Sequence, residues 1–285
     1  MTKGVGLLVG AALLLSVPAA AQDQVKRGEY VFHAAGCAGC HTDVPAKGPL
    51  LAGGRALKTP YGVFFPPNIT PDPAHGIGRW TETEFVQALR SGIGKGGTHL
   101  FPAFPYPSYA GMTDEDAKAL FSYMRTVPAV AKPNREHEVS APYGWRLAAW
   151  GWRLLFFGGP VAPPPPAGAS AQVRRGHYLA TALGHCGECH TPRNSFGALD
   201  VSRHHGGAQV PGGRIPNISS GALAEMNDDD LMTLFEMGMK PDGDMVAGEM
   251  AEVVHESTSR LTPEDRKALI AYLRAVPAVA SEKKK

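Results

Sequence analysis

Two five-residue stretches constrain this chain more than any other feature: Cys37-Ala38-Gly39-Cys40-His41 and Cys186-Gly187-Glu188-Cys189-His190. In each, two thiols stand three residues apart and a histidine follows the second. That spacing lets one short turn hold a haem through two thioether bonds while the imidazole reaches the iron. A redox-active dithiol or a four-thiol zinc site needs no histidine at that place, and both copies have one. The chain is read accordingly as carrying two covalently bound haem c groups, on Cys37 and Cys40 and on Cys186 and Cys189, with His41 and His190 as proximal iron ligands. The motifs use all four cysteines, which leaves none for a structural disulfide, a nucleophile or a cysteine axial ligand.

A length of 285 residues allows about two domains. With 28 Lys and Arg against 26 Asp and Glu, there is no basic excess to draw the chain to nucleic acid. The N-terminus has a basic start at Lys3, an apolar run from Val5 to Val17 and an Ala-x-Ala end at Ala19 to Ala21. This is the form of a secretory signal peptide, residues 1–21, cleaved after Ala21, and its apolar run is shorter than the roughly 20 residues that cross a bilayer. The expected location is the periplasm, where c-type haem is attached, with a peripheral hold on the inner membrane left open.

After that segment the sequence repeats. Val25-Lys26-Arg27-Gly28-Glu29-Tyr30 answers to Val173-Arg174-Arg175-Gly176-His177-Tyr178, Pro67-Asn68-Ile69-Thr70 to Pro216-Asn217-Ile218-Ser219, and Thr113-Asp114-Glu115-Asp116 to Thr262-Pro263-Glu264-Asp265. The expected fold is all-α: two tandem class I cytochrome c domains, 22–130 and 172–285, joined by a Pro-rich linker over 131–171. Each repeat predicts a first helix (24–35; 172–183), a middle helix capped at Thr81 with Glu84 or near Asn227, and a last helix from Thr113 or from Thr262 with Pro263 at its first position. Long Gly/Pro-rich stretches between helices fit a chain that wraps a cofactor. The linker segment Trp145 to Phe157 holds three of the four tryptophans. Two readings stand for it, a helix packed between the domains and a docking surface for a partner or the membrane interface.

The distal ligand separates a carrier from an enzyme, because a methionine closes the iron and raises its potential whereas an open position permits catalysis. In the second repeat Met250, in a glycine-rich loop, is favoured over Met245, while Met237 and Met239 suit packing. In the first repeat Met124 falls on the apolar face of the last helix. Met112 is taken as the ligand ahead of His99, although the repeat aligns Met112 with Leu261 and sets His99 near the level of Met250. Asn68 and Asn217 each have two uses open, holding a haem propionate or fixing a turn. The His204-His205 pair is placed to donate to a propionate of the second haem.

Several segments together resemble one family: Tyr61-Gly62-Val63, Pro67 to Asp72, Gly76-Ile77-Gly78-Arg79-Trp80, Phe101 to Tyr109, and Gly184 to Asn194. They are similar to the cytochrome c subunits of bacterial membrane-bound alcohol, aldehyde and gluconate dehydrogenases. The resemblance implies an electron carrier, not an enzyme. Its donor would be a catalytic dehydrogenase subunit, a quinoprotein or flavoprotein, and its acceptor quinone, a soluble cytochrome or an oxidase of the respiratory chain. Members commonly add a third haem domain and a C-terminal membrane-binding segment, whereas this sequence closes after the second repeat at Ser281 to Lys285; a shortened relative would pass electrons to a soluble cytochrome or an oxidase. Many members carry a methionine at the place of Phe104, which makes Met112 the compensating candidate. The alternative function is a di-haem enzyme of peroxidase or thiosulfate-oxidising type with the first haem as active site.

Overall fold

The computed structural model describes residues 19–210 and 213–280; most of the expected signal peptide and the terminal lysines lie outside the described residues. Helix α1 (Ala19–Ala34) ends at Gly36, whose φ of 61° turns the chain into α2 (Cys37–His41). A hairpin follows, β1 (Leu57–Thr59) with β2 (Gly62–Phe64), and then α3 (Glu82–Ser91), the short α4 (Tyr106–Tyr109) and α5 (Asp114–Met124). Strand β3 (Glu138–Val139) returns to pair with β2, so the first sheet has the antiparallel order β1-β2-β3. After α6 (Arg146–Phe156) come α7 (Ala171–Tyr178), a π-turn over Leu179–Leu183, and α8 (Gly187–His190). The hairpin of β4 (Ala208–Val210) and β5 (Gly213–Ile215), then α9 (Asp228–Met237), α10 (Glu249–Glu256) and α11 (Pro263–Ala275), complete the chain.

The expected caps are present. Thr81 with Glu84 and Asn227 with Asp230 form capping boxes, and the Thr113 and Thr262 side chains accept from the N–H groups of Asp116 and Asp265. The all-α expectation is corrected in one respect: the chain is mostly helical but pairs short strands within its Gly-rich loops, where Gly62, with φ of 132°, permits the tight turn between β1 and β2. The π-turn has a cause visible in the numbering. Tyr30 precedes Cys37 by seven residues and Tyr178 precedes Cys186 by eight. The extra residue is absorbed as a wide turn, with Gly184 N–H donating to Leu179 O and Cys186 N–H to Ala180 O.

Each first helix crosses the last helix of its own repeat at a glycine. A Cβ on Gly28 would stand 2.0 Å from Ala119 O, and one on Gly176 1.8 Å from Ala268 O, distances only a residue without a side chain allows. The two repeats are then joined reciprocally. Asp116 accepts from Arg27 of its own repeat and from the Tyr178 hydroxyl of the other. Asp265 accepts from Arg175 of its own repeat and from the Tyr30 hydroxyl of the other. Apolar residues of both repeats, among them Phe32, Leu120, Leu183, Leu231 and Leu273, form one continuous core.

The segment expected as a linker is largely tied down. Lys132 donates to Gly53 O, the Asn134 amide oxygen accepts from Asn68 N–H, and the His137 ring accepts from Phe65 N–H. Helix α6 lies between the repeats: Arg153 donates to Ser91 O and Arg146 covers the Phe101 ring on one side, while Trp152 donates to Phe196 O on the other. Its outer face leaves Trp145, Leu147, Leu154 and Leu155 exposed. No helix of the described residues is long and apolar enough to cross a membrane.

Two predictions follow the packing. Gly28→Ala and Gly176→Ala are each expected to lower unfolding free energy by about 3 kcal/mol or more, read as a denaturant midpoint of the haem-loaded protein, whereas Gly151→Ala, with nothing within 4 Å of its Cβ, should be neutral or slightly stabilising. Burial pushes the Asp265 carboxyl up, but hydrogen bonds from Arg175 and Tyr30 outweigh it and hold it below the ordinary carboxylate range. Its contribution to stability is therefore present above the unfolded-chain value near pH 4 and lost as pH falls through the folded value. Asp265→Asn should flatten the acid limb of the stability profile below about pH 4.

Candidate functional site

The two motifs are built alike. His41 Nδ1 lies 2.8 Å from Pro67 O, and His190 Nδ1 2.7 Å from Pro216 O. A carbonyl can only accept, so Nδ1 carries the proton and Nε2 keeps its lone pair. Burial lowers the pKa of both imidazoles, which keeps them neutral as an iron ligand must be. The carbonyl of His41 accepts from Gly53 N–H and that of His190 from Gly207 N–H, closing the loop beneath each ring. None of the four cysteines is joined to another. Two free thiols on one turn and an oriented imidazole with Nε2 available match what a covalently bound haem requires, and they occur twice.

Prolines 67 and 216 were missed as functional residues, since a main-chain carbonyl has no sequence signature beyond the repeat itself. Of the two uses left open for the asparagines beside them, the side chains are placed for loop-fixing. Asn68 donates to Val130 O and Lys132 O and accepts from Thr70 N–H and Oγ1. Asn217 donates to Val279 O and accepts from Ser219 N–H and Oγ. Each thereby clamps the segment that presents the proline carbonyl to the proximal histidine.

Each motif is also bonded toward the other repeat. Arg55 bonds Gly39 O in the first motif and pairs with Glu252 on α10 of the second repeat, with Nη2 to Oε1 at 3.1 Å. In the other direction Ser108 on α4 donates to Glu188 inside the second motif at 2.7 Å, and Arg193 holds the other oxygen of that carboxylate. The junction is sealed by Tyr109, which donates to Ala35 O and sets its ring edge-on to His185, and by Ser257, which donates to Ala34 O. Each attachment turn is thus tied to the other repeat, the first through Arg55 and the second through Ser108.

Of the proposed distal ligands, Met250 lies in the first turn of α10 and not in the glycine-rich loop expected for it, partly buried against the core, whereas Met245 is 59% exposed. Met112 is 1% exposed and packs in the common core, its N–H bonded to Tyr109 O; Leu261 has the same bond, to Thr258 O, just ahead of the matching cap. Met112 therefore stands at a packing position. His99 forms a bridge with Ile93 in the hairpin after α3. His205, expected near the second haem, sits in the loop beside the second motif. Its N–H donates to Thr191 Oγ1 and its O accepts from Ile218 N–H, at φ 64°, as Leu51 does with Thr42 and Ile69 at φ 60°. A fully buried histidine thus replaces a leucine next to the second motif, stacked on His204 with ring centroids 3.9 Å apart and with neither ring nitrogen partnered by a described residue.

Comparison with known proteins agrees with this geometry. Residues 25–128 match the cytochrome c family model. A di-haem c-type cytochrome of Cereibacter sphaeroides is 41% identical over 90% of this chain and 87% of its own length. The cytochrome c subunit of a quinone alcohol dehydrogenase of Gluconacetobacter polyoxogenes is 39% identical over 96% of this chain, and the gluconate 2-dehydrogenase cytochrome c subunit of Pantoea cypripedii 37% over 93%. This chain spans 60% and 63% of those two longer proteins. With two CxxCH turns, oriented histidines and relatives matched over nine-tenths or more of its length, the chain belongs to the cytochrome c family that includes these di-haem and dehydrogenase-subunit cytochromes.

Proposed function

We propose that this protein is an exported electron carrier with two haem c groups, one in each of two cytochrome c domains, that relays single electrons from a catalytic dehydrogenase to the respiratory chain. The observation that carries the reading is the pair of matching attachment turns, each tied to the other repeat around a single core. Cys37, Cys40 and His41 would hold one haem, and Cys186, Cys189 and His190 the other, with Met250 completing the second iron. Each haem supplies one-electron chemistry at its iron.

The chain supplies position. The Pro67 and Pro216 carbonyls orient the proximal rings, Asn68 and Asn217 hold those carbonyls in place, and the reciprocal Tyr–Asp bonds fix one repeat against the other. Rigid placement suits a relay, since neither carrier site must reorganise when charge passes. A quinoprotein or flavoprotein dehydrogenase as donor rests on the relatives named as dehydrogenase subunits. The periplasm, and quinone, a soluble cytochrome or an oxidase as acceptor, are the settings that export and haem attachment support.

The test is mass spectrometry and stopped-flow reduction of protein exported from a bacterial host. The expected mass is that of Gln22 to Lys285 plus two haems, falling by one haem in Cys186→Ala/Cys189→Ala. Both haems should be reduced by an alcohol or sugar-acid substrate only when the dehydrogenase subunit is added. A single haem in the parent protein, or substrate turnover without the partner, would overturn the proposal.

A further inference from the structure

The distal sides of the two motifs are not equivalent. The middle helix of each repeat ends in a left-handed glycine, Gly92 at φ 64° and Gly238 at φ 78°. Each leads into a hairpin with the same bonds. Leu100 N–H donates to Gly92 O, Gly94 N–H to Thr98 O and Gly97 N–H to Gly94 O; Val246 N–H donates to Gly238 O, Lys240 N–H to Asp244 O and Gly243 N–H to Lys240 O. The bridges Ile93 with His99 and Met239 with Met245 match as well. All these pairs differ by 146 in number (238 − 92; 246 − 100; 245 − 99). Four residues beyond the last shared bond, the chain reaches Phe104 in one repeat and Met250 in the other.

The length difference between the repeats falls later. Phe104 precedes the Thr113 cap by nine positions and Met250 precedes the Thr262 cap by twelve, and the longer path is taken up by α10, eight residues against four in α4. Phe104 thus occupies the place of Met250. It is partly buried, with its ring 5.6 Å from that of Tyr109, which is anchored to Ala35 O. Met112 does not replace the missing sulfur, because it stands at the packing place of Leu261. His99 corresponds to the exposed Met245, not to Met250.

We infer that the haem held by Cys37, Cys40 and His41 has no distal ligand among the described residues and binds a small neutral diatomic molecule in its reduced state. A phenyl ring offers no lone pair to iron, whereas a thioether does. Phe104 would face the open position as an apolar cap that admits an uncharged diatomic and disfavours anions. The inference rests on Met250 as ligand of the second iron.

The probe is carbon monoxide, added to the dithionite-reduced, haem-loaded protein and followed by absorbance, with electron paramagnetic resonance of the oxidised form. One carbon monoxide per protein and a high-spin signal from half the haem are expected. Phe104→Met should abolish both and make the two haems alike, while Met112→Leu should leave both unchanged. Two low-spin haems and no carbon monoxide uptake in the parent protein would overturn the inference, as would a first haem opened only by Met112→Leu or His99→Ala. Met250→Leu separates this from failure of the underlying reading: it should open the second haem. If Met245→Leu does so instead, the ligand register shifts to residues 245 and 99 and the inference falls with it.

Discussion

The arrangement depends on how closely two helices can approach. At Gly28 and Gly176 a first helix lies against a carbonyl of its partner helix, Ala119 O or Ala268 O, nearer than any side chain would permit. That contact sets the course of α1, and of α7 with the π-turn that follows it, and the attachment turns come next in the chain. A helix held off by one methyl group would carry its motif outward with it. The proximal histidine would then lose the fit to Pro67 or Pro216 that leaves Nε2 available. Placement of the motif histidines therefore begins with packing some distance from them.

Much of this was legible in the chain because it is written in side chains at regular spacing. The motifs, the Thr81 and Asn227 caps, Pro263 at the start of α11 and the paired asparagines are read from residue type and repeat alone. What was illegible lies in main-chain groups and in long-range pairing. The Pro67 carbonyl has no residue-specific sign, and Asn68, read from its amide as a possible propionate donor, instead fixes that carbonyl. The bonds from Tyr30 to Asp265 and from Tyr178 to Asp116 join residues far apart in sequence. The short strands escaped because three-residue segments carry too little periodicity to distinguish them from loop.

The departures from symmetry are as informative as the repeat. One extra residue before Cys186 is confined to a π-turn, so the second motif keeps its orientation. Leucine at 51 against histidine at 205, and phenylalanine at 104 against methionine at 250, place unlike side chains on matching backbone. The two motifs share one scaffold and have unlike side chains beside them, which gives them different environments without a change of fold.

The crossed tyrosine and aspartate bonds have a further consequence. Tyr30 reaches Asp265 while Tyr178 reaches Asp116, the i-to-j and j-to-i pattern of an isologous interface between two copies of one subunit. Here both copies lie on one polypeptide, so the contact forms at an effective concentration set by the connecting segment and does not depend on how much protein is present. Each copy could then diverge on its own side of the dyad, an asymmetry that a dimer of identical chains cannot acquire.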